Sequence, residues 1–508
     1  MVHHRFEECT MLFNSFNFCI FLPIVLLLYS LIPQKFKNLW LLLASYFFYM
    51  CWNAKFALLI LASTIITYIS GILLEKVKHQ TGSPARQVSL SKWIVAGSFL
   101  INLGILFYFK YTNFLLDLLS KALAVIHISI SVPVFDIMLP VGISFYTFQA
   151  LSYTMDVYRG EIYAEKNFVQ YALFVSFFPQ LVAGPIERSK NLLKQLATPR
   201  KICFDNLREG FLLMLWGYFL KIVLADRIAI FVDTVYGDYA TYSGYYLVVA
   251  TLLFAIQIYC DFYGYSTIAV GTAKMLGIQL TENFNTPYLG TTVAEFWKGW
   301  HISLTSWFRD YLYIPLGGNR KGKIRKYLNK MIVFLVSGLW HGASMSYVIW
   351  GGINGLYQII GEALMPVRNK AVSLLKLNRD SWAHKAASTL VTFLMVDFSW
   401  IFFRATGTRE ALDIISAMFS KHNIKILFTG ALYKCGLDNK NFSLMLICIA
   451  ILAISDLCKK KGIVIRNIIL KQDYWFRWLF IAFSILFLLT FGKYGPVYDS
   501  GNFIYFQF

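Results

Sequence analysis

A chain of 508 residues that is 57% hydrophobic and only 15% charged, against about 25% in soluble domains, has too much apolar surface for an ordinary water-soluble fold. Its formal charge of +20 is large enough to raise nucleic acid as a partner, but the basic residues sit in short loops between apolar stretches. That placement argues against a nucleic-acid surface and for cytoplasmic loops facing anionic lipid.

About 20 mainly apolar residues cross a bilayer as a helix. Such stretches recur near 16–32, 39–52, 56–74, 93–109, 138–154, 168–183, 211–232, 245–262, 331–350, 387–403, 442–457 and 475–491. The expected fold is therefore an all-α integral membrane bundle of about 11–13 spans, with residues 11–508 forming one membrane domain. Met11 opens a more natural amino terminus, so residues 1–10 read as extra. Between the spans lie Lys35 and Lys37; Lys76, Lys78 and Arg86; Arg188 to Lys201; the run Arg320 to Lys330; and Lys459 to Lys461. Eight cysteines form no CxxC pair, and several fall within spans, a pattern of apolar fillers that predicts neither disulfides nor a metal site.

Residues 140–365 differ in texture from what flanks them. Pro140-Val141-Gly142, Gly184-Pro185, Asp261 with Gly264, Pro287 and Pro315-Leu316-Gly317-Gly318 interrupt apolar sequence. Backbone breaks at membrane depth survive only where protein or a water-filled cavity surrounds them. The segment therefore predicts re-entrant or broken helices around a polar chamber, the default site. Gly317 to Lys323 imitates a phosphate-binding loop, but Ile324 stands where Ser or Thr would hold magnesium, and no strand precedes it.

His341 follows nine residues of membrane-grade sequence and is flanked by Trp340 and Gly342. Desolvation favours its neutral form, which can accept a proton from an attacking hydroxyl. The same position also suits a core histidine bonded to a backbone carbonyl. His301 lies in an amphipathic pattern with Trp297, Trp300, Leu304 and Trp307 on one side and Lys298, Ser306, Arg309 and Asp310 polar, which an interfacial helix would equally present. Asp261 is a lone carboxylate after a long apolar run; such groups are functional or are paired with a buried cation.

These residues also carry a resemblance. QIYCDFYGYSTIAVG, ENFNTPYLGTTVAEFWKGWHISLTSWFRDYLYIPLGGNR and LVSGLWHGASMSYVIWGGINGLY, spanning Gln257 to Ile353, resemble the core of the membrane-bound O-acyltransferases. They are especially similar to the bacterial branch of alginate and peptidoglycan O-acetylation proteins. MLFNSFNF, LPVGISFYTFQALSYTMDVYRG, FFPQLVAGPIER and the terminal FIYFQF extend the likeness over nearly the whole chain. One departure is Lys298-Gly299, where that branch often carries tandem basic residues.

The resemblance implies a many-helix bundle around a central tunnel, with His341 as the catalytic histidine and His301 as its second. Asp261, Asn285, Arg309, Asp310 and Asn319 match motif positions and, with Trp307 and Trp340, are the candidate substrate-binding residues. It implies no bound cofactor, acetyl-CoA as cytosolic donor, and a bacterial inner (plasma) membrane location among lipids. The acetyl group would pass to an extracytoplasmic serine esterase-like partner and thence to a polysaccharide, alginate-like or peptidoglycan. The alternatives are a D-alanyl transfer protein of teichoic acid synthesis, a glycan or acyl-donor transporter, and a scaffold.

Overall fold

The computed structural model describes residues 11–80, 83–128, 133–182, 184–420 and 423–494. The proposed extra residues 1–10 and the terminal FIYFQF motif lie outside these. Every regular element among the described residues is helical. Six helices are long and apolar enough to cross a membrane: Ala54–Lys78, Pro84–Val125, Tyr245–Met275, Trp382–Arg404, Asn439–Lys460 and Tyr474–Phe491. The other expected spans are shorter or broken. Residues 211–232 run through three pieces, an α-helix Phe204–Tyr218, a π-helical turn Phe219–Ala225 and an α-helix Asp226–Gly237. Residues 331–350 divide at His341 into the helices Gly322–His341 and Met345–Ala363.

The chain forms two compact units. The first comprises residues up to 214 together with 268–281. Its helices meet through small and polar side chains, as helices in lipid do when no hydrophobic drive separates protein from solvent. Ser63 Oγ donates to Asn102 Oδ1 at 2.6 Å, and the Tyr171 hydroxyl donates to Thr67 Oγ1 at 2.6 Å. A Cβ at Gly71 would lie 2.5 Å from the Tyr153 hydroxyl, so glycine lets the Ala54–Lys78 helix approach that ring. Glu187, 1% exposed, accepts the Thr281 N–H at 2.5 Å and so fastens the extended segment after Gly277. Gln195 holds the same segment by both backbone groups of Gln279.

The second unit comprises residues 215–267 and those from 282 onward, and contains both candidate histidines. Its tightest element pair is the hairpin of Gly322–His341 and Met345–Ala363. A Cβ at Gly338 would lie 2.1 Å from the Tyr347 carbonyl oxygen, and one at Gly351 would lie 2.3 Å from that of Phe334. The two backbones are thus in direct contact. The turn is set by Gly342, extended and against the Tyr347 ring, and by Ser344, whose side chain caps Ser346 N–H at 3.4 Å.

Two predictions follow from this packing. Gly338→Ala must part the hairpin, at a cost of about 1–3 kcal/mol for an overpacked site. Gly361→Ala, where no atom lies within 4 Å of the new methyl, should be neutral or stabilise by about 0.5–1 kcal/mol. Thermal melting of the two purified variants checks the contrast. Burial raises the Glu187 carboxyl from 4.5 to about 7, outweighing its bonds to Thr281 and the nearby Arg188. Between those values the folded chain retains a proton that the unfolded chain has released, so this group's contribution to stability falls as pH rises through the window. Glu187→Gln should flatten that pH dependence and raise the melting midpoint above pH 7.

Candidate active site

The site is built where two helices stop. His341 is the last residue of Gly322–His341 and is 4% exposed. Its ring is boxed by aromatics, with centroids 4.9 Å from Trp340, 5.1 Å from Trp350 and 5.3 Å from Phe403, all at steep angles. Trp350 reaches it from the second helix of the hairpin and Phe403 from Trp382–Arg404.

His301 sits in the break between two seven-residue helices, Val293–Gly299 and Ile302–Phe308. It is 1% exposed and adopts the left-handed conformation, φ 43° and ψ 56°, which in a non-glycine residue costs on the order of 1–3 kcal/mol. Its ring lies 4.6 Å from Phe262, edge to face, and 5.9 Å from Trp340. One indole therefore touches both histidines.

Around this pair Trp300, Trp350 and Trp400 form a continuous aromatic wall, with Trp350 and Trp400 stacked at 5.6 Å and Trp300 tilted against Trp400 at 5.1 Å. Such a wall lowers the local dielectric and strengthens every dipole aimed into it. Among the described residues no cluster of His, Cys, Asp and Glu has the makings of a metal site.

The remaining sequence candidates do not all gather here. Trp340 lies between the histidines. Asp261 faces Lys221, whose Nζ is 2.6 Å from its carboxylate and 2.8 Å from that of Asp226, all three nearly fully buried. This is the buried-cation option for such a carboxylate, and it ties Tyr245–Met275 to the π-helical turn that carries Lys221. Gly264 permits the approach, since a Cβ there would lie 2.8 Å from the Gly217 oxygen. Phe262, next to Asp261, is the residue that meets His301.

Arg309 and Asp310 pair with each other at 2.8 Å, and the Arg309 side chain is largely exposed. Trp307 is buried against Phe308 and Tyr311. Asn285 and Asn319 are exposed. Asn285 instead contributes its backbone, donating to the Gly299 carbonyl at 2.9 Å. A Cβ on residue 299 would lie 2.5 Å from the Asn285 oxygen, which explains why glycine follows Lys298.

Sequence reasoning passed over Lys221, Trp350, Phe403 and the buried Asn283. Lys221 was visible as a lone cation in an apolar run. Asn283 differed from Asn285 in nothing that sequence displays.

The pattern of the membrane-bound O-acyltransferase family matches residues 161–402, a stretch that contains both histidines. A probable alginate O-acetylase of Pseudomonas aeruginosa is 39% identical over 407 residues, covering 80% of this chain and 74% of that one. A peptidoglycan O-acetyltransferase of Helicobacter pylori is 32% identical over 451 residues, covering 82% and 81%. A teichoic acid D-alanyltransferase of Streptococcus thermophilus is 27% identical over 281 residues, covering 52% and 67%. With four fifths of its length aligned at that identity, and with apolar helices long enough to span a bilayer, the chain belongs to the membrane-bound O-acyltransferase family and is a multi-pass acyltransferase.

Proposed function

We propose that this enzyme moves an acetyl group from cytosolic acetyl-CoA to an acceptor outside a bacterial inner membrane, for O-acetylation of an alginate-like polysaccharide or peptidoglycan. A serine esterase-like protein is the proposed intermediate carrier. The observation that carries the reading is the pair of buried histidines sharing the Trp340 indole. The relatives named as O-acetylating proteins support acetyl over D-alanyl, being more identical over more of the chain.

The chemistry requires a base, because an alcohol is a poor nucleophile at neutral pH. In the proposed step His341 takes the proton of the acceptor hydroxyl as its oxygen attacks the thioester carbonyl. The tetrahedral oxyanion then collapses, the C–S bond breaks, and the thiolate leaves to take up a proton. His301, whose ring can donate from a nitrogen, is suited to stabilising the oxyanion. The aromatic box excludes water that would otherwise compete as acceptor.

The basic run offers a second constraint. Lys330 pairs with Glu362 at 2.6 Å, and Lys326 pairs with the same carboxylate. Arg320, Lys321, Lys323 and Arg325 are exposed, and we propose these as the contact for the donor's phosphates.

In nanodiscs holding the full chain, His341→Ala should lower acetyl transfer from acetyl-CoA by about 10²–10⁴-fold. His301→Ala should cost roughly 10²–10³-fold, as loss of an oxyanion donor does. Wild-type rates in both variants, or turnover with a D-alanyl carrier-protein thioester in place of acetyl-CoA, would overturn the reading. Combined charge reversal at Arg320, Lys323 and Arg325 should raise the donor KM and leave kcat unchanged, while reversal at Glu362 should lower the folded yield instead.

A further inference from the structure

His301 stands at the position where a helix is normally capped by its own side chain. The first N–H groups of a helix lack intrahelical partners, and Ser, Thr, Asp or Asn at the N-cap usually accepts from one of them. The imidazole of His301 makes no such bond to Ile302–Phe308. The cap comes from elsewhere in the chain. Asn283, 2% exposed, accepts the Ile302 N–H on its backbone oxygen at 2.9 Å and the Ser303 N–H on its side-chain Oδ1 at 3.3 Å.

The segment bearing Asn283 is itself held on both sides. Lys459 Nζ donates to the Glu282 carboxylate and to the Phe284 carbonyl, each at 3.0 Å, and Asn285 N–H donates to Gly299 at 2.9 Å. Phe284 packs edge-on against Phe262 at 5.1 Å, and Phe262 in turn meets the His301 ring. The cap and the ring that backs Phe262 thus arrive on one segment.

We propose that Asn283 is a positioning residue for acyl transfer: by capping Ile302–Phe308 in place of His301, it holds the histidine in its left-handed conformation and so fixes where the imidazole stands. This rests on His301 acting in the reaction, as proposed above. Asparagine fits the position because its side chain is short and its oxygen accepts the Ser303 N–H.

The test uses the purified full-length chain in nanodiscs with acetyl-CoA as donor. Asn283→Ala should lower kcat by roughly 10–100-fold, the scale of a small misplacement of a reacting group, and leave the donor KM within a few-fold of wild type. Asn283→Asp keeps the accepting oxygen at a helix N-terminus that favours it, and should restore kcat to within a few-fold of wild type. In a His301→Ala background Asn283→Ala should cost nothing further, since two residues acting through one group are not additive. Full additivity in that double variant, wild-type kcat in Asn283→Ala, or loss of kcat in a well-folded Asn283→Asp would each overturn the proposal. Should Asn283→Ala fail to fold, Asn283→Gln, whose longer side chain carries the accepting oxygen away from the Ser303 N–H, takes its place: a lowered kcat at unchanged donor KM supports the proposal and a wild-type kcat overturns it. A His301→Ala enzyme with wild-type rate would instead remove the reading beneath it, whatever Asn283 does.

Discussion

Hydrocarbon leaves no backbone N–H or C=O to water, so a chain that breaks its helices inside the membrane must find protein partners for every group it frees. Both candidate histidines sit where helices break, and the surrounding structure supplies partners for the groups those breaks free. At His301 the freed donors are taken by Asn283, and the Gly299 carbonyl by Asn285. At His341 the helix ends on Gly342, whose N–H still reaches Gly338, and the next helix begins under its own serine cap. Once these partners are in place, a side chain such as that of His301 or His341 can sit at a helix end, where its ring is not confined to a helix face.

Buried charge is paired within a cluster of its own. Lys221, Asp226 and Asp261 satisfy one another at 2.6–2.8 Å and join the π-helical turn to Tyr245–Met275. Breaking such a buried group by removing one partner typically costs about 3–5 kcal/mol, so the cluster fixes the position of Phe262 strongly. The histidines, by contrast, are surrounded by aromatic rings. A neutral imidazole suits this wall, while a fixed ion there would have to be paid for in desolvation.

The sequence made the membrane class and the two histidines legible because composition and motif both survive without coordinates. An apolar run announces itself by length, and His341 stands out against its nine apolar predecessors. What it left hidden depends on pairing across the chain. Asp261 reads as a lone carboxylate until Lys221 is seen beside it, 40 positions away. Asn285 and Asn283 share a residue type and a motif, and only the path of the backbone makes one exposed and the other buried. The stretch 331–350 reads as one span because hydropathy does not register that Gly342 is extended and that Tyr347 fills the space a side chain would need.

The hairpin that presents His341 has its two backbones touching at Gly338 and Gly351, without side chains between them to change rotamer. Such a joint has no slack. Sliding or tilting one helix would drive carbonyl oxygen into backbone, so His341 and Trp350 travel as a rigid block. Whatever motion admits an acyl donor must therefore belong to other elements, with this corner serving as the fixed anvil against which they move.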